Sequence, residues 1–263
     1  VSLEGVPPGF VVAVAAVVGA VLGSFLNVCI LRWGAEPKES VVRPPSHCPR
    51  CGRGLAWYEN VPIVSWLVLR GRCRGCREPI SVQYPLIEAA VAIVWGGMFW
   101  WFGPGLTALA GAIFCTILLG IAMTDVRAYI IPDEFSLGGL VLGMLLAIAH
   151  GWDSFVVAAV GALVGFGLLY LVAVAGTWFF KQEAMGGGDI KMMAMVGTFV
   201  GWKGVLLAVF LGALLGSLIF VPLTLVGSKR LVPFGVFLAL GAAAAYLVGP
   251  EILEWYGRFV TAG

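Results

Sequence analysis

The sequence predicts an all-α polytopic membrane protein of about eight transmembrane helices with a small soluble insertion. Three observations carry that prediction. First, 60% of the 263 residues are hydrophobic and 11% charged, whereas a soluble domain carries roughly 25% charged residues; the mean hydropathy is +1.00. Second, the apolar residues fall into blocks long enough to cross a bilayer, which needs about twenty residues of helix. Third, nine of the sixteen Lys and Arg lie between Arg32 and Arg77, and with Glu36, Glu39, Glu59 and Glu78 they leave that stretch at +5. Under the positive-inside rule such a stretch faces the cytoplasm. Its arginines alternate with cysteines and apolar residues, so a nucleic-acid surface is not indicated.

The first helix is expected at about 10–31. Val1 to Phe10 contains no Lys or Arg, unlike the basic start of a secretory signal, so this is read as a retained span. Gly19 and Gly23 form a small-xxx-small pair for helix packing, and Asn27 is expected to hydrogen-bond inside the bundle. Cys29 and Cys115 read as ordinary buried small residues.

Residues 33–84 read as a compact insertion organised by Cys48-Pro49-Arg50-Cys51 and Cys73-Arg74-Gly75-Cys76, which are 21 residues apart. Two such knuckles supply four thiolates at the spacing of a structural zinc ribbon. A reducing cytosol makes disulfides the weaker alternative. The fold class is therefore completed by a cytoplasmic zinc-ribbon-like insertion, with Cys48, Cys51, Cys73 and Cys76 as Zn2+ ligands and His47 as a neighbour. A closed site of four thiolates leaves no position for catalysis, so the metal is structural.

After Tyr84-Pro85, helices are expected at about 86–102, 105–124, 134–149, 154–180, 189–202, 204–226 and 232–249. Gly103-Pro104-Gly105, Ile131-Pro132-Asp133, Gly151-Trp152-Asp153 and Gly227-Ser228-Lys229-Arg230 separate them. The 189–202 segment is short for a full span and reads as a partly embedded element. With this topology Arg127, Lys181, Lys191, Lys229 and Arg230 join the first loop inside, so fourteen of sixteen cations obey the rule. Lys203 and Arg258 lie outside, beside Glu4, Asp153, Glu251 and Glu254. The domains are then 1–32, a first helix; 33–84, the insertion; 85–250, a seven-helix core; and 251–263, a tail at the outer interface. No tandem repeat stands out.

Two polar islands interrupt the core: Thr124-Asp125-Val126-Arg127, and Gly186-Gly187-Gly188-Asp189-Ile190-Lys191. A carboxylate beside hydrocarbon is costly and usually lies in a cavity, pairs or does chemistry, although an Asp after a Gly run is also a common N-cap. Asp125 and Asp189 fall at the same end of the membrane in this topology. Two carboxylates that share a proton can act as acid and base on one water, as direct peptide hydrolysis requires. The three glycines would permit positive φ and close approach of another chain. The reading is an intramembrane aspartyl protease. A proton-relaying transporter and a scaffold with a zinc ribbon are the rival classes; the first lacks a visible inverted repeat, and the second leaves both aspartates without a role.

The order of motifs resembles the type IV prepilin peptidases from about Gly23 to Gly241. These motifs are Gly23-Ser24-Phe25-Leu26-Asn27-Val28; Pro45 to Cys51; Asn60-Val61-Pro62 with Ser65-Trp66-Leu67; and Arg70 to Cys76. They continue with Tyr84-Pro85-Leu86-Ile87-Glu88; Asp125 with Ile131-Pro132-Asp133; Gly186 to Lys191; and Pro233-Phe234-Gly235. One departure is Trp33-Gly34, where the family commonly continues with Leu-Pro. The resemblance implies a GxGD-type aspartyl protease with Asp125 and Asp189 as the catalytic pair. It implies removal of a short basic leader from prepilins or pseudopilins at the cytoplasmic face, after a glycine. Methylation of the new N-terminal amine with S-adenosylmethionine would follow, although no Gly-rich loop marks a pocket for that donor. The partners are then the prepilin and the lipid bilayer of the bacterial inner membrane, with a homo-oligomer compatible. Among supporting residues, Asp133 reads as an N-cap or as support for the site, and Glu88 as an anchor for the substrate's amine or a partner for a nearby Arg. Lys191 either tunes Asp189 or marks the cytoplasmic border.

Overall fold

The protein was analysed as a computed structural model that describes residues 7–182, 185–225 and 233–261. Glu4, Lys229, Arg230 and the turn expected at 227–230 lie outside the described residues. Among those described, seven helices are long and apolar enough to cross a membrane, and the strand content is two isolated bridges. The chain is an all-α multi-pass protein that divides into two units, Val1–Thr116 and Ile117–Gly263.

In the first unit, α1 (Pro8–Trp33) packs antiparallel on α3 (Gln83–Phe102). The small residues set the approach: a Cβ on Gly19 would stand 2.7 Å from the Val91 carbonyl oxygen, and one on Gly23 would stand 2.8 Å from the Glu88 Cα. Asn27 is fully buried and donates from Nδ2 to the carbonyls of Gly23 and Tyr84, each at 3.2 Å, as the cost of an amide in lipid demands. Trp95 Nε1 donates to Thr116 Oγ1 at 3.0 Å in the first half of α4 (Leu106–Ala128).

Between α1 and α3 lies the insertion, with a 3₁₀ turn at Trp57–Asn60 and the one-turn helix α2 (Val64–Val68). Its two knuckles are near copies. Cys48 N–H donates to the Arg53 carbonyl and Gly52 N–H back to Cys48; Cys73 N–H donates to Glu78 and Arg77 N–H back to Cys73, all at 2.8–2.9 Å. Gly52 (φ 68) and Arg77 (φ 61) occupy the same left-handed position in each. This structural repeat was invisible beyond the Cys spacing, because backbone hydrogen bonding defines it.

The second unit holds the end of α4, then α5 (Asp133–His150), α6 (Trp152–Phe180), α7 (Gly187–Leu225) and α8 (Phe234–Thr261). The two expected segments 189–202 and 204–226 are the arms of α7, broken at Gly201 (φ 67, ψ 177). The chain reverses there. Gly165 and Gly161 of α6 abut Met193 and Gly197 of the first arm, while Gly241 and Phe237–Leu238 of α8 abut Ala208 and Gly212 of the second. The first arm starts beside Asp125, and Gly235 also lies against Asp125, so both ends of the hairpin return to one level.

Two boundaries differ from expectation. Asp125 sits within α4, which runs on to Ala128. The tail expected to begin at 251 continues α8 through Pro250 to Thr261. Pro removes one intrahelical donor, and the turns beyond it carry the Arg258–Glu254 pair at 2.8 Å and the stacked rings of Trp255 and Phe259.

Gly197 is the tightest point of the α6–α7 contact, since a Cβ there would collide with the Gly161 carbonyl. Gly197→Ala should destabilise the purified protein by about 1–3 kcal/mol. Gly167→Ala, with nothing within 4 Å of its would-be Cβ, should leave the thermal midpoint in detergent unchanged.

Candidate active site

Asp125 comes from the last turn of α4 and Asp189 from the first turn of α7. Asp189 lies within the electrostatic reach of Asp125. The Asp125 side chain rests on the start of α8, with the backbone amides of Val236 and Gly235 against its carboxylate. A helix N-terminus has free N–H groups and the positive end of its dipole, both suited to an anion. Asp125 Oδ2 and Asp189 Oδ1 are buried and accept no hydrogen bond from the described residues. Buried acceptors left open are costly, and two of them on carboxylates within electrostatic reach of each other suit a water or a substrate group.

Ile131 closes the site from the α4–α5 connection. A Cβ on Gly188 would stand 2.9 Å from Ile131 Cβ, and one on Gly235 would stand 3.0 Å from Ile131 Cδ1 and 2.8 Å from Asp125 Oδ2. One side chain therefore spaces the residue before Asp189 from the helix start that cradles Asp125. The glycine argument needs correction here. None of Gly186, Gly187 and Gly188 has positive φ. Only Gly188 is needed for close approach; a Cβ on Gly187 would meet nothing, and one on Gly186 would lie 3.7 Å from Asp189 Oδ2, an ordinary contact.

Asp133 and Lys191 are also brought together. Lys191 Nζ donates to Asp133 Oδ1 at 2.8 Å and Oδ2 at 3.0 Å. Asp133 is not the N-cap of α5: Pro132 holds that position without a side-chain cap, and Asp133 is the first helical residue. Lys191 thus faces Asp133. The pair is about half exposed, which limits it to about 0.2–1 kcal/mol, but it ties the start of α5 to the first arm of α7. Glu88 belongs to the other unit. It is buried, and its Oε2 accepts the Ile63 N–H at 2.7 Å, a backbone partner in place of the expected arginine.

In the insertion the Sγ atoms of Cys48, Cys51, Cys73 and Cys76 lie within 4.8 Å of one another. A tetrahedral centre with metal–sulfur bonds of about 2.3 Å places its sulfurs about 3.8 Å apart, and Cys48 Sγ is 3.7 Å from Cys76 Sγ. The cluster can hold a metal ion, and the four thiols are unbridged. The backbone amides of Cys51 and Arg50 draw the Cys48 thiol down to about 6, which favours the thiolate form that binds a metal. His47 turns Nδ1 to the Pro45 carbonyl at 3.0 Å and stays outside the cluster. Beneath it, buried Glu59 accepts the Ala56 N–H at 2.9 Å and the Arg53 guanidinium at 3.0 Å; these bonds, the backbone one foremost, hold its carboxyl below the usual range.

Residues 112–221 match the model of the type IV leader peptidase family, and residues 17–102 match that of the bacterial peptidase A24 N-terminal domain. A prepilin leader peptidase/N-methyltransferase of Burkholderia pseudomallei is 35% identical over 94% of this chain and 89% of its own length. The chain belongs to the type IV leader peptidase family. Two further relatives bear the same name: that of Aeromonas hydrophila is 34% identical over 89% of this chain and 90% of its own, and that of Myxococcus xanthus is 39% identical over 77% of this chain and 60% of its own. No solved structure gives a significant match.

Within this leader-peptidase framework, the role that residue reading left unassigned is that of the start of α8 as the seat of Asp125. Its signal was Pro233-Phe234-Gly235, a Pro directly ahead of an apolar run. Gly235→Ala should push a methyl group onto the Asp125 carboxylate and Ile131. It is expected to lower peptidase turnover at least tenfold while the thermal midpoint moves far less than for Gly197→Ala, measured on the same preparations.

Proposed function

We propose that this chain is a membrane aspartyl endopeptidase that removes the leader of type IV prepilins or pseudopilins and then methylates the new N-terminus. The observation that carries the hydrolytic half is the pair of aspartates, each with one buried oxygen that has no partner among the described residues, with Asp125 set against the start of α8. The relatives' shared name supports both halves. No such support exists for the transporter or scaffold reading.

In this reading one water lies between Asp125 and Asp189, which share a single proton and titrate as a pair. The ionised carboxylate takes a proton from the water as its oxygen attacks the scissile carbonyl carbon. The protonated carboxyl donates to the carbonyl oxygen and favours the tetrahedral gem-diol. The carbon–nitrogen bond then breaks as the leaving amine takes a proton from the Asp pair, giving the leader's carboxylate and the pilin's free amine. The α8 amides hold Asp125, and Ile131 packs against Gly235 beside it and against Gly188, the residue before Asp189. Methyl transfer to the amine would draw on S-adenosylmethionine; that assignment rests on the family, and no described residue is given to it.

Placing the site at the cytoplasmic face of a bacterial inner membrane follows the cation distribution, in which Arg127, Lys181 and Lys191 lie near it in sequence. A basic leader would stay in the cytosol while the pilin's apolar helix lies in the bilayer. Co-expression with a prepilin should give an N-terminal pilin peptide that lacks the leader and carries one added methyl group by mass. An intact leader in the presence of folded, inserted protein would overturn the reading.

Zn2+ is the proposed occupant of the four-cysteine cluster, where it would be structural. Cys48, Cys51, Cys73 and Cys76 would hold it, closing an insertion too small for a large core. The purified protein should contain about one zinc per chain. Cys48→Ser or Cys76→Ser should lower that content, and acidification should release zinc because protons compete with the metal for the four thiolates. Full metal occupancy in both variants would exclude the assignment.

A further inference from the structure

The insertion carries an apolar surface that neither hydrolysis nor the cysteine cluster uses. On α2, Val64, Leu67 and Val68 are 56%, 60% and 75% exposed at helical spacing i, i+3 and i+4. The 3₁₀ turn packed beside α2 adds Trp57, 83% exposed. No residue of α2 is buried. Such a surface is unusual on a small polar domain and marks a contact.

Its position relative to the bilayer is set by one hydrogen bond. Ile63, directly ahead of α2, donates its N–H to Glu88 Oε2 at 2.7 Å. Glu88 lies inside α3, five residues past Gln83, or about 7–8 Å along the helix. The 20 residues of α3 span about 30 Å, the thickness of the hydrocarbon core, so few can be spared outside it. Ile63 adopts φ 62, ψ −52, with Val64 N–H bonded to the Pro62 carbonyl at 2.5 Å. A tight three-residue turn at a β-branched residue is strained, and the Glu88 bond holds it. The start of α2 is therefore held at the end of a membrane span, at the depth of the headgroup boundary.

Charge identifies the surface that this face meets. Arg70 follows the end of α2, and Arg72 donates its backbone N–H to the Leu69 carbonyl at 3.2 Å. Arg70, Arg72 and Arg77 are exposed and have no ion-pair partner among the described residues. Exposed apolar residues with an aromatic ring, followed directly in the chain by the unpaired arginines Arg70 and Arg72, have the composition of an interfacial anchor. We propose that Trp57 and α2 form an in-plane anchor that seats the cysteine insertion on an anionic phospholipid leaflet. The anchor requires a membrane-spanning α3 and is independent of the peptidase reading.

The test uses the full chain in bilayers of phosphatidylglycerol and phosphatidylcholine, with phosphatidylcholine brominated high on its acyl chains. The emission of Trp57 is taken as the difference between the native chain and Trp57→Phe. That emission should be quenched, and the quenching should fall by roughly half or more in phosphatidylcholine alone or at high salt. Arg70→Gln with Arg72→Gln should reproduce the fall in the anionic bilayer. Amide exchange of residues 57–72 in the unmodified chain gives an independent reading, slower in the anionic bilayer than in the neutral one. An unquenched Trp57, or equal quenching and equal exchange in the two bilayers, would overturn the proposal. So would protection that appears only when a second protein is added.

Discussion

A carboxylate inside a helical membrane bundle is tolerated only where the surrounding backbone meets its charge, and the second unit is built around that constraint. Asp125 is set against the first amides of α8, and Asp189 enters its field from the first turn of α7. Each leaves one buried oxygen without a donor among the described residues. Three long elements must therefore present their ends at one level, and the reversal of α7 at Gly201 makes this possible by returning the chain to the same side. Had α7 crossed once without turning, the start of α8 would lie at the far end and Asp125 would face hydrocarbon.

Contacts without side chains hold these ends in register. Gly161 against Gly197, Gly165 against Met193 and Gly212 against Phe237 bring backbones together where hydrophobic burial offers no drive between helices in lipid. The Asp133–Lys191 bridge and the Ile131 wedge then fix the connection after Asp125 against the segment before Asp189. The site depends on close backbone packing for its level and on two side-chain contacts for its spacing.

Much of this was legible in the residues. The membrane class, the insertion, the four cysteines and both aspartates stood out because polar groups in an apolar chain are few and costly. Asp133 was harder, since its partner lies 58 residues away and an acid after Pro reads locally as a cap. The glycine run was assigned a freedom of φ it does not use, because sequence cannot tell a glycine that bends from one that only makes room, as Gly188 does. The last helix was expected to end at 249 but continues through Pro250, since one lost hydrogen bond is tolerated in a 28-residue helix. The cradle for Asp125 was hidden for a simpler reason: backbone amides of Gly235 and Val236 carry no side-chain signature.

The central claim is that Asp125 and Asp189 act as one unit on one water. The most direct measurement is leader removal from a prepilin by Asp125→Asn, Asp189→Asn and the double variant, in protein shown to be folded and inserted. Each single change nearly preserves side-chain volume, and each should abolish cleavage, with the double variant scarcely worse than either because the residues are not additive. Substantial cleavage by either single variant would contradict the account.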